Sequence, residues 1–99
     1  MEIKINEQLF ELLSTEMKFV LYVGLLKEPT LSELRDATRA SWSTVHNIVP
    51  KLQGLGLIEV QEEKTRVKSV KKIAKLTDKG RMVFEKILEL NQLLSEDKA

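Results

Sequence analysis

The residues best suited to chemistry in this 99-residue chain lie between Ser41 and Val60, in the run SWSTVHNIVPKLQGLGLIEV. Val45, Ile48, Val49 and Leu52 recur there at helical spacing, so one side of a helix is apolar. The other side carries Ser43, Thr44, His46, Asn47 and Lys51, with no acidic residue between Ser41 and Leu57. Hydroxyls, a carboxamide, an imidazole and one cation suit a polyanion and the edges of bases. Asn47 can pair both its donor and its acceptor with adenine, while Thr44 is the better group for a phosphate oxygen. Catalysis has no comparable signature. His46 is the only histidine, Ser41, Ser43 and Ser69 lack the context of a nucleophile, and Gly24, Gly54, Gly56 and Gly80 build no phosphate-binding loop. With no cysteine and a single histidine, disulfides, thiolate metal sites and conventional zinc sites have no ligands. The expectation is a binding protein with no enzymatic activity, cofactor or metal.

Several elements must position that polar face. Ser41 is a good N-cap for a helix over about residues 42–53, and Gly54 or Gly56 can end it in the left-handed conformation that glycine adopts at little cost. Pro50 removes the amide that would bond the His46 carbonyl and disfavours helical geometry at Val49, which predicts a kink or an early break. Upstream, Leu31–Thr38 reads as a short helix, with Thr30 and Glu33 spaced as a capping box after the break at Glu28-Pro29. Only about Thr38 to Ala40 separates the two helices, the short connection of a helix-turn-helix. Two placements are open to Trp42 at the corner: packed on the preceding helix, or exposed toward a thymine methyl or the sugar-phosphate edge.

Downstream, Leu57-Ile-Glu-Val opens a strand on which Ile58 and Val60 point one way and Glu59 and Gln61 the other. Residues 62–69 are polar, and Val70–Leu76 returns as a second strand with Ala74 and Leu76 inward and Lys71, Ile73 and Lys75 outward. No glycine marks the turn between them. Thr77 then caps a last helix over about Asp78 to Ser95, on which Val83, Ile87, Leu90 and Leu94 form one stripe and Phe84, Leu88 and Asn91 lie alongside. Near the N-terminus, Met1–Asn6 alternates like a short strand or extended arm, and residues 7–13 read as more helical. A helix starting at Ser14 or Thr15 is apolar nearly all round, through Met17, Phe19, Val20, Leu21, Tyr22, Val23, Leu25 and Leu26. Such a helix is covered on more than one side, which is hard to achieve within a chain of this size, so its surplus face is expected to meet a partner subunit or the last helix. A homodimer is the expectation, through Phe19, Tyr22, Val83, Ile87, Leu90 and Leu94.

The near-neutral total of +1 averages two opposed halves. Residues 1–34 hold six acids against three bases, whereas residues 64–81 hold eight bases against Asp78 alone. Density on one element governs phosphate contact and counterion release, so the basic hairpin is either a nucleic-acid contact or a solvated, aggregation-resistant loop. The apolar run Phe19 to Leu26 is far below the roughly 20 residues that span a bilayer, and the start MEIKINEQ lacks a basic signal-peptide region. The expected location is cytoplasmic, without membrane contact.

The run LSELRDATRASWSTVHNIVPKLQGLGLIEV, followed by the basic hairpin and LTDKG at Leu76 to Gly80, resembles the winged helix-turn-helix domain of MarR-like transcriptional regulators over roughly Thr30 to Phe84. The most specific pieces are STVHNIVPKLQGLGLIE and LTDKG; Pro50 departs from the uninterrupted recognition helix usual there. The resemblance implies a mainly α fold with a small β-hairpin wing (α+β), in one domain. Its segments would be an arm and helix (1–28), a helix-turn-helix (30–56), a wing (57–76) and a C-terminal dimerisation helix (77–95). It implies sequence-specific binding of double-stranded DNA with the recognition helix in the major groove. The contacts would be Arg39, Ser41, Trp42, Ser43, Thr44, His46, Asn47 and Lys51, with Lys64, Arg66, Lys68, Lys71 and Lys72 of the wing on the backbone or minor groove. The rival is a winged helix used for protein–protein assembly. Nothing in the sequence identifies an operator or a small-molecule effector.

Overall fold

A computed structural model describes residues 4–64 and 70–96. Five helices and one hairpin follow in order: α1 (Glu7–Leu12), α2 (Thr15–Leu26), α3 (Leu31–Thr38), α4 (Trp42–Gly54), β1 (Ile58–Lys64), β2 (Val70–Leu76) and α5 (Asp78–Ser95). The short polar residues ahead of each helix explain where these helices begin. Asn6, Ser14, Thr30, Ser41 and Thr77 all have extended backbone and accept a hydrogen bond from a first-turn amide. Thr30 and Glu33 form the reciprocal capping box, with bonds of 3.0 and 2.9 Å. The fold is the winged helix-turn-helix expected from the sequence, α+β with a two-stranded antiparallel wing.

α2 is the central helix. Phe19, Val20, Leu21 and Val23 are buried on it, and it is packed by α3, α4, α5 and β2. Each such side chain stabilises the fold by roughly 1.5–3 kcal/mol. The sequence left either a partner subunit or the last helix to cover the surplus; within the chain α5 packs on α2 and covers part of it. Phe19 and Ile87 are 1% and 5% exposed inside this single chain, which removes both from the expected subunit interface. Tyr22 stacks on Phe10 of α1 with ring centroids 6.2 Å apart, and Val83, Leu90 and Leu94 are partly buried against the core. In the described part of the N-terminal arm, residues 4–6 pair with no strand and Asn6 is extended. The arm is held by Asn91, which accepts from the Asn6 amide (2.7 Å) and donates to the Lys4 carbonyl (2.9 Å).

The wing pairs in a register running from Ile58 opposite Leu76 to Lys64 opposite Val70. A tie not visible in the sequence fixes its base. The corner between α2 and α3 runs alongside β2, with an isolated bridge between Thr30 and Ile73 and the Ala74 amide donating to the Pro29 carbonyl at 2.8 Å. That corner places Lys27 and Glu28 at φ of 55° and 60°, an unfavourable region for side-chain-bearing residues. Lys75 sits 3.7 Å from Glu28 across it.

Candidate nucleic-acid interface

The site is built on α4. At about 100° of rotation per residue, Val45, Ile48, Val49 and Leu52 form its buried side. Diametrically opposite lie Ser43, Asn47, Pro50 and Gly54, all exposed. One flank, Trp42, His46 and Gln53, borders a cleft of about 910 Å³ between α4, the start of α3 and the wing, into which Val60, Glu62 and Lys72 also face. The other flank, Thr44 and Lys51, turns toward α2. Lys51 Nζ lies 2.6 Å from Glu16 Oε2, so its ammonium is engaged within the chain. That hydrogen bond from Lys51, followed by one from the backbone at the helix start, holds the Glu16 carboxyl below its ordinary value.

The break expected at Pro50 does not occur: α4 is one helix through Gly54. Buried Val49 and Leu52 anchor the backbone on either side of the proline, its ring lies on the exposed face, and the His46 carbonyl that loses its amide partner is on an open surface. The helix ends at Gly54 and is closed two residues on by Gly56, with φ of +76°. The Leu57 amide donates to the Leu52 carbonyl and the Gly56 amide to that of Gln53, both at 3.0 Å, the paired bonds of a Schellman closure.

The LTDKG signature locks this end of α4 to α5. Thr77 Oγ1 donates to the Gly56 carbonyl at 2.6 Å while accepting from the Gly80 amide at 2.9 Å. Lys79 Nζ donates to the Leu55 carbonyl at 3.2 Å. A Cβ on Gly80 would sit 1.9 Å from the Leu57 carbonyl oxygen, so only glycine allows this approach.

At the corner of the helix-turn-helix, both placements foreseen for Trp42 occur together. Its indole is 40% exposed, yet it also supports the preceding helix: Arg35 Cζ lies 5.2 Å from the ring centroid, and the His46 ring is 5.6 Å away on the other contact. Arg35 is absent from the set read from sequence. The available signal was a cation in the last turn of α3, just ahead of a tryptophan across a short turn. Arg39 takes the left-handed conformation (φ 58°) that ends α3, with its side chain exposed. Ser41 caps the Thr44 amide at 3.1 Å and donates to the Thr44 hydroxyl at 3.1 Å, so these two hydroxyls are partly committed. Ser43 and Asn47 make no side-chain hydrogen bond among the described residues.

The wing is less basic than its count suggested. Glu62 pairs with Lys72, Glu63 with Lys71 and Glu59 with Lys75, placing a carboxylate directly across from each lysine. Over residues 58–76, six bases and three acids leave +3 where residues 64–81 alone suggested +7. Lys64, Lys71 and Lys72 remain exposed and form no ion pair among the described residues. Both Lys71 and Lys72 border the cleft. Arg66 and Lys68 lie outside the described residues. Among the described residues there is no group of three metal-ligating side chains, and no helix is long and apolar enough to cross a membrane.

No protein-family model matches the chain. In sequence it is similar to the phenylalanine–tRNA ligase alpha subunit of Metallosphaera sedula, 30% identical over 80 residues, covering 81% of this chain and 16% of that subunit. In structure it is similar to a MarR protein from Peptoclostridium difficile (TM-score 0.73, 21% identity), covering 90% of this chain and 57% of that one. It is also similar to Streptococcus pneumoniae FabT solved in complex with DNA (TM-score 0.72, 22% identity), covering 88% of this chain and 60% of that one. The chain thus shares its fold with these regulators and spans about 60% of their length.

Proposed function

We propose that this chain is a non-catalytic, sequence-specific binder of double-stranded DNA that acts as a dimeric transcriptional regulator. α4 would enter the major groove and the wing would lie along the backbone or minor groove. The observation that carries this reading is the outward face of α4, where Ser43 and Asn47 are exposed and unpaired and no acidic group intervenes. The B-DNA major groove is about 12 Å wide and admits a helix presenting such groups. The exposed lysines of the wing would add phosphate contacts, and the likeness in fold to FabT, which was solved in complex with DNA, supports the reading. Exposed Leu12 on α1 and exposed Leu93 on α5, the latter close to half-buried Leu90 and Leu94 on the same helix, supply apolar surface for a second copy. Two such copies would read half-sites about 34 Å apart, or a multiple of it.

The likeness to part of a tRNA ligase subunit favours a second reading, a module that docks on RNA or on another protein. Selection from a random duplex DNA pool, followed by salt titration with duplex RNA as competitor, separates the two. DNA reading is expected to enrich a pseudo-palindrome and to show a steep salt dependence. Absence of binding to any duplex DNA at low salt, or equal displacement by RNA, would sink it.

A further inference from the structure

Arg35 is the feature that the interface described above leaves unexplained. A guanidinium carries five N–H donors, yet none of them makes a hydrogen bond among the described residues. Its Nε is buried without a partner. Its nearest carboxylate, Asp36, lies 3.6 Å from Nη1, beyond hydrogen-bonding distance, and is 75% exposed, so that contact contributes little. What holds the group is the indole of Trp42, at 5.2 Å from Cζ, within the range of a cation–π contact. The side chain is nonetheless 39% exposed. A cation held on an aromatic ring, partly exposed and without a hydrogen-bond acceptor among the described residues, is arranged for an acceptor from outside.

We propose that Arg35 and Trp42 form a clamp for one backbone phosphate of duplex DNA at the corner between α3 and α4. This deepens the DNA reading and rests on it. The location fits. Trp42 opens α4 one residue before Ser43, the first member of the outward row, so a phosphate bordering the groove entered by α4 comes nearest this corner. Exposed Arg39, in the turn, adds charge of the same sign. The planar guanidinium can offer two parallel N–H groups to two phosphate oxygens while its face stays on the indole, a combination that lysine cannot reproduce. Trp42 is then a positioning residue: it removes rotamer freedom from Arg35 before DNA arrives, so less entropy is lost on binding. His46, against the same indole at 5.6 Å, ties the clamp to the helix that reads bases.

Binding isotherms on an arbitrary short DNA duplex at several salt concentrations test this with three variants, each compared with wild type after a thermal melt. Arg35→Gln is expected to weaken binding about tenfold on every sequence and to lower the salt slope by about 0.9. Arg35→Lys and Trp42→Leu keep the charge, so the slope should persist while affinity falls severalfold. As the only tryptophan, Trp42 reports directly: its emission should change when duplex is added to wild type, and much less with Arg35→Gln. If wild type binds with a steep salt slope and Arg35→Gln matches it in slope and affinity, the clamp is wrong while the DNA reading stands. If wild type itself binds no duplex, the DNA reading fails and the clamp with it.

Discussion

Asn47 and Lys51 are four positions apart on one helix, yet the structure gives them different work. Asn47 is exposed and its carboxamide makes no hydrogen bond among the described residues, the requirement for bidentate recognition of adenine. Asn47→Ala is expected to cost about 1–3 kcal/mol on the preferred site and to relax base preference at one position. A uniform loss across all sequences would instead make Asn47 a backbone contact. Lys51 is held by Glu16 and links α4 to the start of α2. Because the Glu16 carboxyl titrates below its ordinary 4.5 in the fold, its contribution is complete above about pH 4.5 and is lost as pH falls through the lowered value. Thermal midpoints measured against pH should therefore show wild type ahead of Glu16→Gln at neutral pH, with the gap closing in acid. A constant gap would mean that the ion pair is not its source.

Two elements meet where α4 ends and α5 begins, and glycine behaves differently on the two sides. Gly80→Ala must move either α5 or the Leu57 carbonyl, and is expected to cost about 1–3 kcal/mol as an overpacking change. Gly54→Ala meets nothing within 4 Å on an exposed helical turn and should be neutral or stabilising by roughly 0.5–1 kcal/mol. Differential scanning calorimetry on the pair checks the contrast, at about 4–8 °C per kcal/mol for a domain of this size. Pro50 sits in the same helix without breaking it. Pro50→Ala restores a backbone bond to the His46 carbonyl and should raise stability by about 1–3 kcal/mol. An unchanged or lowered melting temperature would show that the helix already absorbs the proline without cost.

For the whole molecule the open matter is association. The chain buries Phe19 and Ile87 by itself, so a dimer must use what is left outside, with Leu12 and Leu93 each 64% exposed. Leu12→Glu combined with Leu93→Glu places charges on this exposed apolar surface without disturbing the core. Sedimentation at micromolar concentration is expected to show wild type as a dimer and the double variant as a folded monomer. A monomeric wild type would end the proposal of paired half-sites.

What the sequence determined by itself is local. N-caps at Thr30, Ser41 and Thr77, a helix start at Ser14 or Thr15, the capping box, the buried stripe of α4 and the alternation along β1 all depend on neighbours within a few residues, and such signals survive without knowledge of the fold. The winged helix-turn-helix was legible because these signals fall in the right order. Tertiary structure alone decided the rest. Lys51 was read on the same polar face as Asn47, and only the position of α2 drew it to Glu16. The wing count of +7 was taken along the chain, whereas charge acts through space and the opposite strand supplies three glutamates. Pro50 was expected to kink the helix or end it early because propensity is a local preference; with Val49 and Leu52 buried, α4 stays one helix through Gly54. Arg35 is an ordinary cation in the sequence, and becomes a candidate ligand-binding group only because the turn sets it over Trp42 without a hydrogen-bonded acceptor among the described residues.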